Sequence, residues 1–127
     1  MTCDIRVIYG DIQRVITVIG DSGCQEELTL EPTDIETLNL PQVGTREVLY
    51  PDGSTGEAKI FDTVTVEVPL SDGSVVQASV TPVSLTQVDQ RVGAVAAERI
   101  LGYAALDKLN LKLDFRAKKL VKRIRRI

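Results

Sequence analysis

The chain contains no histidine. That absence removes Ser-His and Cys-His nucleophilic mechanisms, His-ligated zinc and histidine proton shuttles. Cysteine is scarce. Cys3 and Cys24 form no C-x-x-C pair and are too few for a disulfide framework, so a reducing compartment and two small buried apolar side chains are expected. No stretch approaches the roughly eighteen apolar residues needed to span a membrane. Met1-Thr2-Cys3-Asp4-Ile5-Arg6 lacks the basic head and apolar core of a signal peptide. Together these absences point to a soluble, cytoplasmic protein. There is no internal repeat and no low-complexity linker.

What is present suits one globular domain: 127 residues, 43% hydrophobic and 26% charged, leave room for a single core. The net charge of −3 is unevenly divided. Residues 1–115 carry 8 basic and 18 acidic side chains, whereas residues 116–127 carry 7 basic and no acidic ones. An acidic body thus ends in a basic tail.

Most segments read as strands. Ile5-Arg6-Val7-Ile8-Tyr9 and residues 14–19 are rich in β-branched side chains, with a Gly10-Asp11 turn between them. Val64-Thr65-Val66-Glu67-Val68 alternates, and Ser71-Asp72-Gly73-Ser74 turns it into a second strand over residues 75–80. Residues 112–115 alternate again. Two short helices are expected. One follows Pro32, where Thr33-Asp34-Ile35-Glu36 has a capping-box pattern; the other runs from Tyr103 to Leu109, with Asn110 as its stop. The sum is a compact, mainly β domain, a partly closed barrel with one or two short helices.

The tripeptide Asp21-Ser22-Gly23 follows the apolar run Val15-Ile16-Thr17-Val18-Ile19, and Ile100-Leu101-Gly102 comes about eighty residues later, opening the second helix. By itself Asp-Ser-Gly is ordinary turn chemistry. In this order, from Val15 onward, the chain resembles the retroviral-type, retropepsin-like single-domain aspartic proteases, and in particular a non-viral branch of them. Val18-Ile19-Gly20-Asp21-Ser22-Gly23-Cys24 is similar to the family's active-site motif. Residues 28–40 are similar to the segment after it, and residues 99–115 to the closing Ile-Leu-Gly, helix and strand. Tyr50, Pro51, Asp52, Gly53, Ser54, Thr55 and Gly56 sit where the family places its flap hairpin.

The resemblance implies a retropepsin-like domain over residues 1–115 with a basic extension over 116–127. It also implies a homodimeric aspartic endopeptidase that needs no metal or cofactor. Two carboxylates about 3 Å apart cannot both ionise, so one acts as base on water and one as acid on the substrate. The chain has one such motif, so the dyad would be Asp21 from each subunit on a two-fold axis. Ser22 would brace the loop, Gly23 would let the backbone turn tightly, and Ile100, Leu101 and Gly102 would support the loop from below. An extended peptide would lie under residues 50–56, with hydrophobic side chains flanking the scissile bond.

Several positions depart from the pattern. Gly20 replaces an apolar side chain and Cys24 an alanine, while Ala104 stands where many members have Asp or Asn. Gln25 and Tyr103 replace an Asp and an Arg that pair in retroviral members, so neither leaves an orphan charge. Cys24 has no histidine to activate it and reads as a small packed residue. Glu26-Glu27 lacks calcium-loop spacing and reads as a solvated face.

Leu120, Ile124 and Ile127 fall at helical spacing and give a basic amphipathic helix; a final strand is the plainer alternative. The tail would serve the dimer interface, or bind nucleic acid or an anionic membrane, although no aromatic interleaves its charges. Two rivals to the protease reading follow: a non-catalytic dimerisation or peptide-binding module of the same fold, and an adaptor working through the basic tail.

Overall fold

The computed structural model describes residues 1–49, 53–89, 93–96, 99–114 and 119–123, with backbone alone at 86–89 and 93–96. The described residues form twelve strands and two short helices, a mainly β architecture. None of the helices is long and apolar enough to cross a membrane.

Period-two alternation builds the first layer. In β1 (Thr2–Tyr9), Ile5 and Val7 are buried while Asp4 and Arg6 face out; in β2 (Ile12–Asp21), Ile16 and Val18 are buried while Val15 and Thr17 are exposed. The two pair antiparallel from Tyr9↔Ile12 to Thr2↔Ile19, turning at Gly10-Asp11 as the sequence predicts. β6 (Val64–Pro69) buries Val64, Val66 and Val68, pairs with β1, and turns into β7 (Val75–Val80).

On the other side of β2 the chain does something that local pattern cannot show. β10 (Ile100–Gly102) inserts beside β2 in parallel and pairs antiparallel with β3 (Leu28–Thr29). β3 then pairs parallel with β8 (Pro82–Asp89), which pairs with β5 (Thr55–Phe61) and β9 (Gly93–Ala96). β4 (Gln42–Leu49) completes a hairpin with β5, so the described pairings run from β4 at one end to β7 at the other.

Helix α1 (Pro32–Leu38) begins one step earlier than its sequence pattern suggests. Its cap is Glu31, Pro32 occupies the first turn, and the Asp34 carboxylate accepts the Glu31 N–H at 3.1 Å. Proline's preset φ suits that position, which leaves Thr33 inside the helix. Asn39, at φ 54°, ends it. Helix α2 (Tyr103–Lys108) starts at Gly102, and Asn110 follows at φ 56°, close to the expected stop.

The tail departs from the helical expectation. β11 (Leu111–Asp114) and β12 (Lys119–Lys122) form a two-stranded sheet with Leu113 opposite Leu120. Leu120 is buried in the main core, between exposed Lys119 and half-buried Val121. Four residues are too few to tell a period of two from one of 3.6, and antiparallel pairing with β11 makes residues 119–122 a strand. Residues 124–127, which include the other two positions of the proposed helical stripe, lie outside the described residues, as does Phe115.

Candidate active site

Asp21 is the last residue of β2, and the backbone leaves the sheet there. Its carboxylate is exposed, and Oδ1 accepts the Gly23 N–H at 2.8 Å; Cys24 N–H reaches back to the Asp21 carbonyl at 3.2 Å. These bonds curl Asp21-Ser22-Gly23 into a tight turn that fixes one carboxylate oxygen. Ser22 and Gly23 are exposed beside it.

The turn rests on β10. Gly102 lies opposite Asp21, Leu101 opposite Gly20 and Ile100 opposite Ile19. Gly102 N–H donates to the Glu27 carbonyl and Tyr103 N–H to the Cys24 carbonyl, each at 2.9 Å. The approach is so close that a Cβ on Gly102 would lie 1.7 Å from the Glu26 carbonyl oxygen. Gly102 is therefore required by the loop above it, and its service as a helix cap is secondary. Ile100, Leu101 and Gly102 thus lie along the last three residues of β2, with Gly102 beside Asp21.

Gly20, unusual for the resemblance, has a structural reason. A Cβ there would lie 2.8 Å from Leu113 Cδ2, so the C-terminal sheet fills the space that a side chain would take. Gly20 N–H also donates to the Met1 carbonyl at 3.0 Å.

The hairpin β4–β5 flanks the loop. Its last pair is Leu49↔Thr55; Gly53 and Ser54 lie in the connection between them, Thr55 and Gly56 open β5, and Tyr50, Pro51 and Asp52 lie outside the described residues. The hairpin is tied to the 21–27 loop by an ion pair between Arg46 and Glu26. Gln25, Glu26, Arg46, Val83 and Ala104 border a groove of about 270 Å³ there. Glu27 accepts the Thr81 N–H and a bond from Lys108 Nζ, both at 2.7 Å. The two glutamates are thus internal braces, where sequence suggested a solvated face. Among the described residues no group of three Cys, Asp or Glu side chains converges in a way that could hold a metal ion.

Sequence reasoning missed one cluster. Asp34 is fully buried on α1. Arg99 donates to both its carboxylate oxygens at 2.8 Å, Arg14 Nε to Oδ1 at 2.9 Å, and the Glu31 N–H adds a fourth bond. Burial pushes the Asp34 carboxyl up, but the Arg99 bonds, the Glu31 N–H and Arg14 outweigh it and hold it below the usual carboxylate range. A signal was available: Asp34 stands four residues before Leu38, on one helix face, so a carboxylate was headed for the core.

The cysteines are poorly suited to nucleophilic work. Burial pushes the Cys24 thiol up, and it pushes Cys3, with help from Asp4, to about 11. No family model matches this chain, and no curated protein or solved structure matches it either.

Proposed function

We propose that the protein is a homodimeric aspartic endopeptidase of the retropepsin-like type. The observation that carries this reading is the placement of Asp21. An exposed carboxylate at the end of an inner strand of the sheet sits in a turn held by the Gly23 N–H and by β10 through Gly102. A reacting carboxylate needs both properties: access to substrate, and a position that does not relax during the reaction.

Each chain supplies one such carboxylate, so two chains meet across a two-fold axis with their Asp21 side chains adjacent. One shared proton then divides the roles. The ionised Asp21 removes a proton from water as the water attacks the peptide carbonyl, and the protonated Asp21 donates to the carbonyl oxygen. As the C–N bond breaks, the newly protonated Asp21 donates to the leaving nitrogen and the other Asp21 takes a proton from a hydroxyl of the diol, which restores the pair with one proton. The pair titrates as a unit. Ser22 braces the loop, and the β4–β5 hairpin, held by Arg46 and Glu26, covers an extended peptide.

The test is cleavage of a diverse peptide mixture from acid to neutral pH, read by mass spectrometry, with wild type and Asp21→Asn side by side. Cleavage by wild type and none by the mutant is expected, because Asn keeps the Gly23 bond but cannot exchange the proton. No cleavage by a folded dimer at any pH would favour a peptide-binding module of the same fold. Equal cleavage by both proteins would remove Asp21 from the mechanism.

A further inference from the structure

The Arg14–Asp34–Arg99 cluster touches no reacting atom, yet it ties β2, which ends in Asp21, to α1 and to the residue that leads into β10, the strand paired with Asp21. Arg14 lies on β2, the strand that ends in Asp21. Asp34 lies on α1, reached through the active-site loop and β3. Arg99 immediately precedes β10, the strand beneath the loop. One fully buried carboxylate therefore joins the strand that carries the site, the helix that follows it and the strand that props it.

Arg99 is also bound to β2 through its backbone, since its carbonyl accepts the Ile19 N–H at 2.9 Å, two residues before Asp21. The next residue, Ile100, donates its N–H to the Thr29 hydroxyl at 2.8 Å. β10 is only three residues long, so its own ladder specifies register weakly. Its register nevertheless has one solution. A slip of one residue would place Leu101 or Tyr103 where even a Cβ on Gly102 would lie 1.7 Å from the Glu26 oxygen. A two-bond fork from Arg99 to a carboxylate fixed on another element has the geometric specificity to hold that register.

We propose that Asp34, Arg99 and Arg14 are positioning residues for Asp21, setting the register of β10 and through it the height and angle of the 21–27 loop. This rests on reading Asp21 as the reacting carboxylate, but the mechanical claim can be measured separately. The Gly23 N–H bonded to Asp21 Oδ1 is a reporter within the turn itself.

The experiment compares wild type, Arg99→Lys and Val68→Ala. Lys keeps the charge at Arg99 but loses the fork. Val68 is buried in β6, separated from β2 by β1, so its truncation costs stability away from the loop. Expected for Arg99→Lys are a shifted Gly23 amide resonance, hydrogen exchange at Gly23 faster by about tenfold or more, and kcat lower by about ten- to a hundredfold with KM within about threefold. Val68→Ala should lower the urea midpoint while leaving the Gly23 resonance and kcat near wild type. Should Arg99→Lys fail to fold, Asp34→Asn, which keeps an acceptor oxygen on α1 but cannot accept both bonds of the Arg99 fork, is judged by the same readouts.

An unchanged Gly23 amide in a folded Arg99→Lys protein would overturn the proposal, as would equal effects in Val68→Ala. If wild type cleaves nothing, the protease reading falls, and the Gly23 measurements still decide whether the cluster positions the loop.

Discussion

Replacing Gly102 by alanine tests the architecture of the site most directly. A Cβ there would meet the Glu26 carbonyl oxygen at 1.7 Å and the Cys24 carbonyl oxygen at 2.8 Å. Both neighbours are backbone, so neither can rotate away. To restore a 3.0 Å contact the Glu26 carbonyl must retreat by about 1.3 Å. That movement strains the two bonds from Gly102 and Tyr103 to the loop, each now 2.9 Å. Losing them costs about 1 kcal/mol apiece, and the overpacked contact adds about 1–3 kcal/mol, so about 3–5 kcal/mol in all. The loop carries Asp21, and with Asp21 as the proposed reacting carboxylate a displacement of about 1 Å there would lower the cleavage rate by about a hundredfold.

Two other glycines calibrate the result. Gly44→Ala, with nothing within 4 Å, should change stability by less than about 1 kcal/mol. Gly20→Ala meets the side-chain end of Leu113 at 2.8 Å and that of Leu120 at 4.0 Å, so about 1–2 kcal/mol is expected. Urea denaturation and peptide cleavage of the three variants should rank Gly102 far above Gly20, and Gly20 above Gly44. A Gly102→Ala protein as stable and active as Gly44→Ala would refute the close approach of loop and strand.

Three more outcomes follow from the packing. Asp34 titrates below its unfolded value, so its contribution to stability is complete above about pH 4 and is lost as pH falls through the lowered folded value. Asp34→Asn should cost about 2–4 kcal/mol at pH 7, somewhat under the range for a fully buried pair because Arg14 and Arg99 remain 33% and 23% exposed. The gap between wild type and mutant should narrow toward pH 2 in urea titrations, and a constant gap would contradict the ionised cluster. Cys24, its thiol raised by burial, should react with iodoacetamide near neutral pH more slowly in the folded than in the unfolded protein, and Cys24→Ala should retain cleavage. Leu120→Ala should cost about 2–4 kcal/mol by urea denaturation, since Leu120 is 6% exposed in the core; a neutral effect would mean that the basic tail is detached.

That last point changes how the tail is to be tested. β12 closes against β11, and Leu120 packs beside the space above Gly20. Removing residues 116–127 would disturb the fold as well as any charge-driven association. Charge reversal at exposed Lys119 and Lys122 is the cleaner probe of an adaptor role.

The local parts of this protein were legible in its residues alone. The β-branched runs of β1 and β2, the alternation of β6, the Gly10-Asp11 and Asp72-Gly73 turns, Asn110 as a helix stop and the Asp21-Ser22-Gly23 turn all depend on neighbours a few positions away, and there the pattern and the backbone agree. Contacts between distant segments were decided only by tertiary structure. The Gly102 requirement comes from a carbonyl 76 positions earlier, and Gly20 is a glycine because Leu113 arrives from the C-terminal sheet. Asp34 looks like a capping residue until Arg14 and Arg99, 20 and 65 residues away, surround it. Over residues 119–122 the tail takes the strand alternative, because β11 supplies its backbone partners. Propensity and periodicity report on the chain's own neighbours, whereas burial, register and ion pairing are set by whichever segments share the same space.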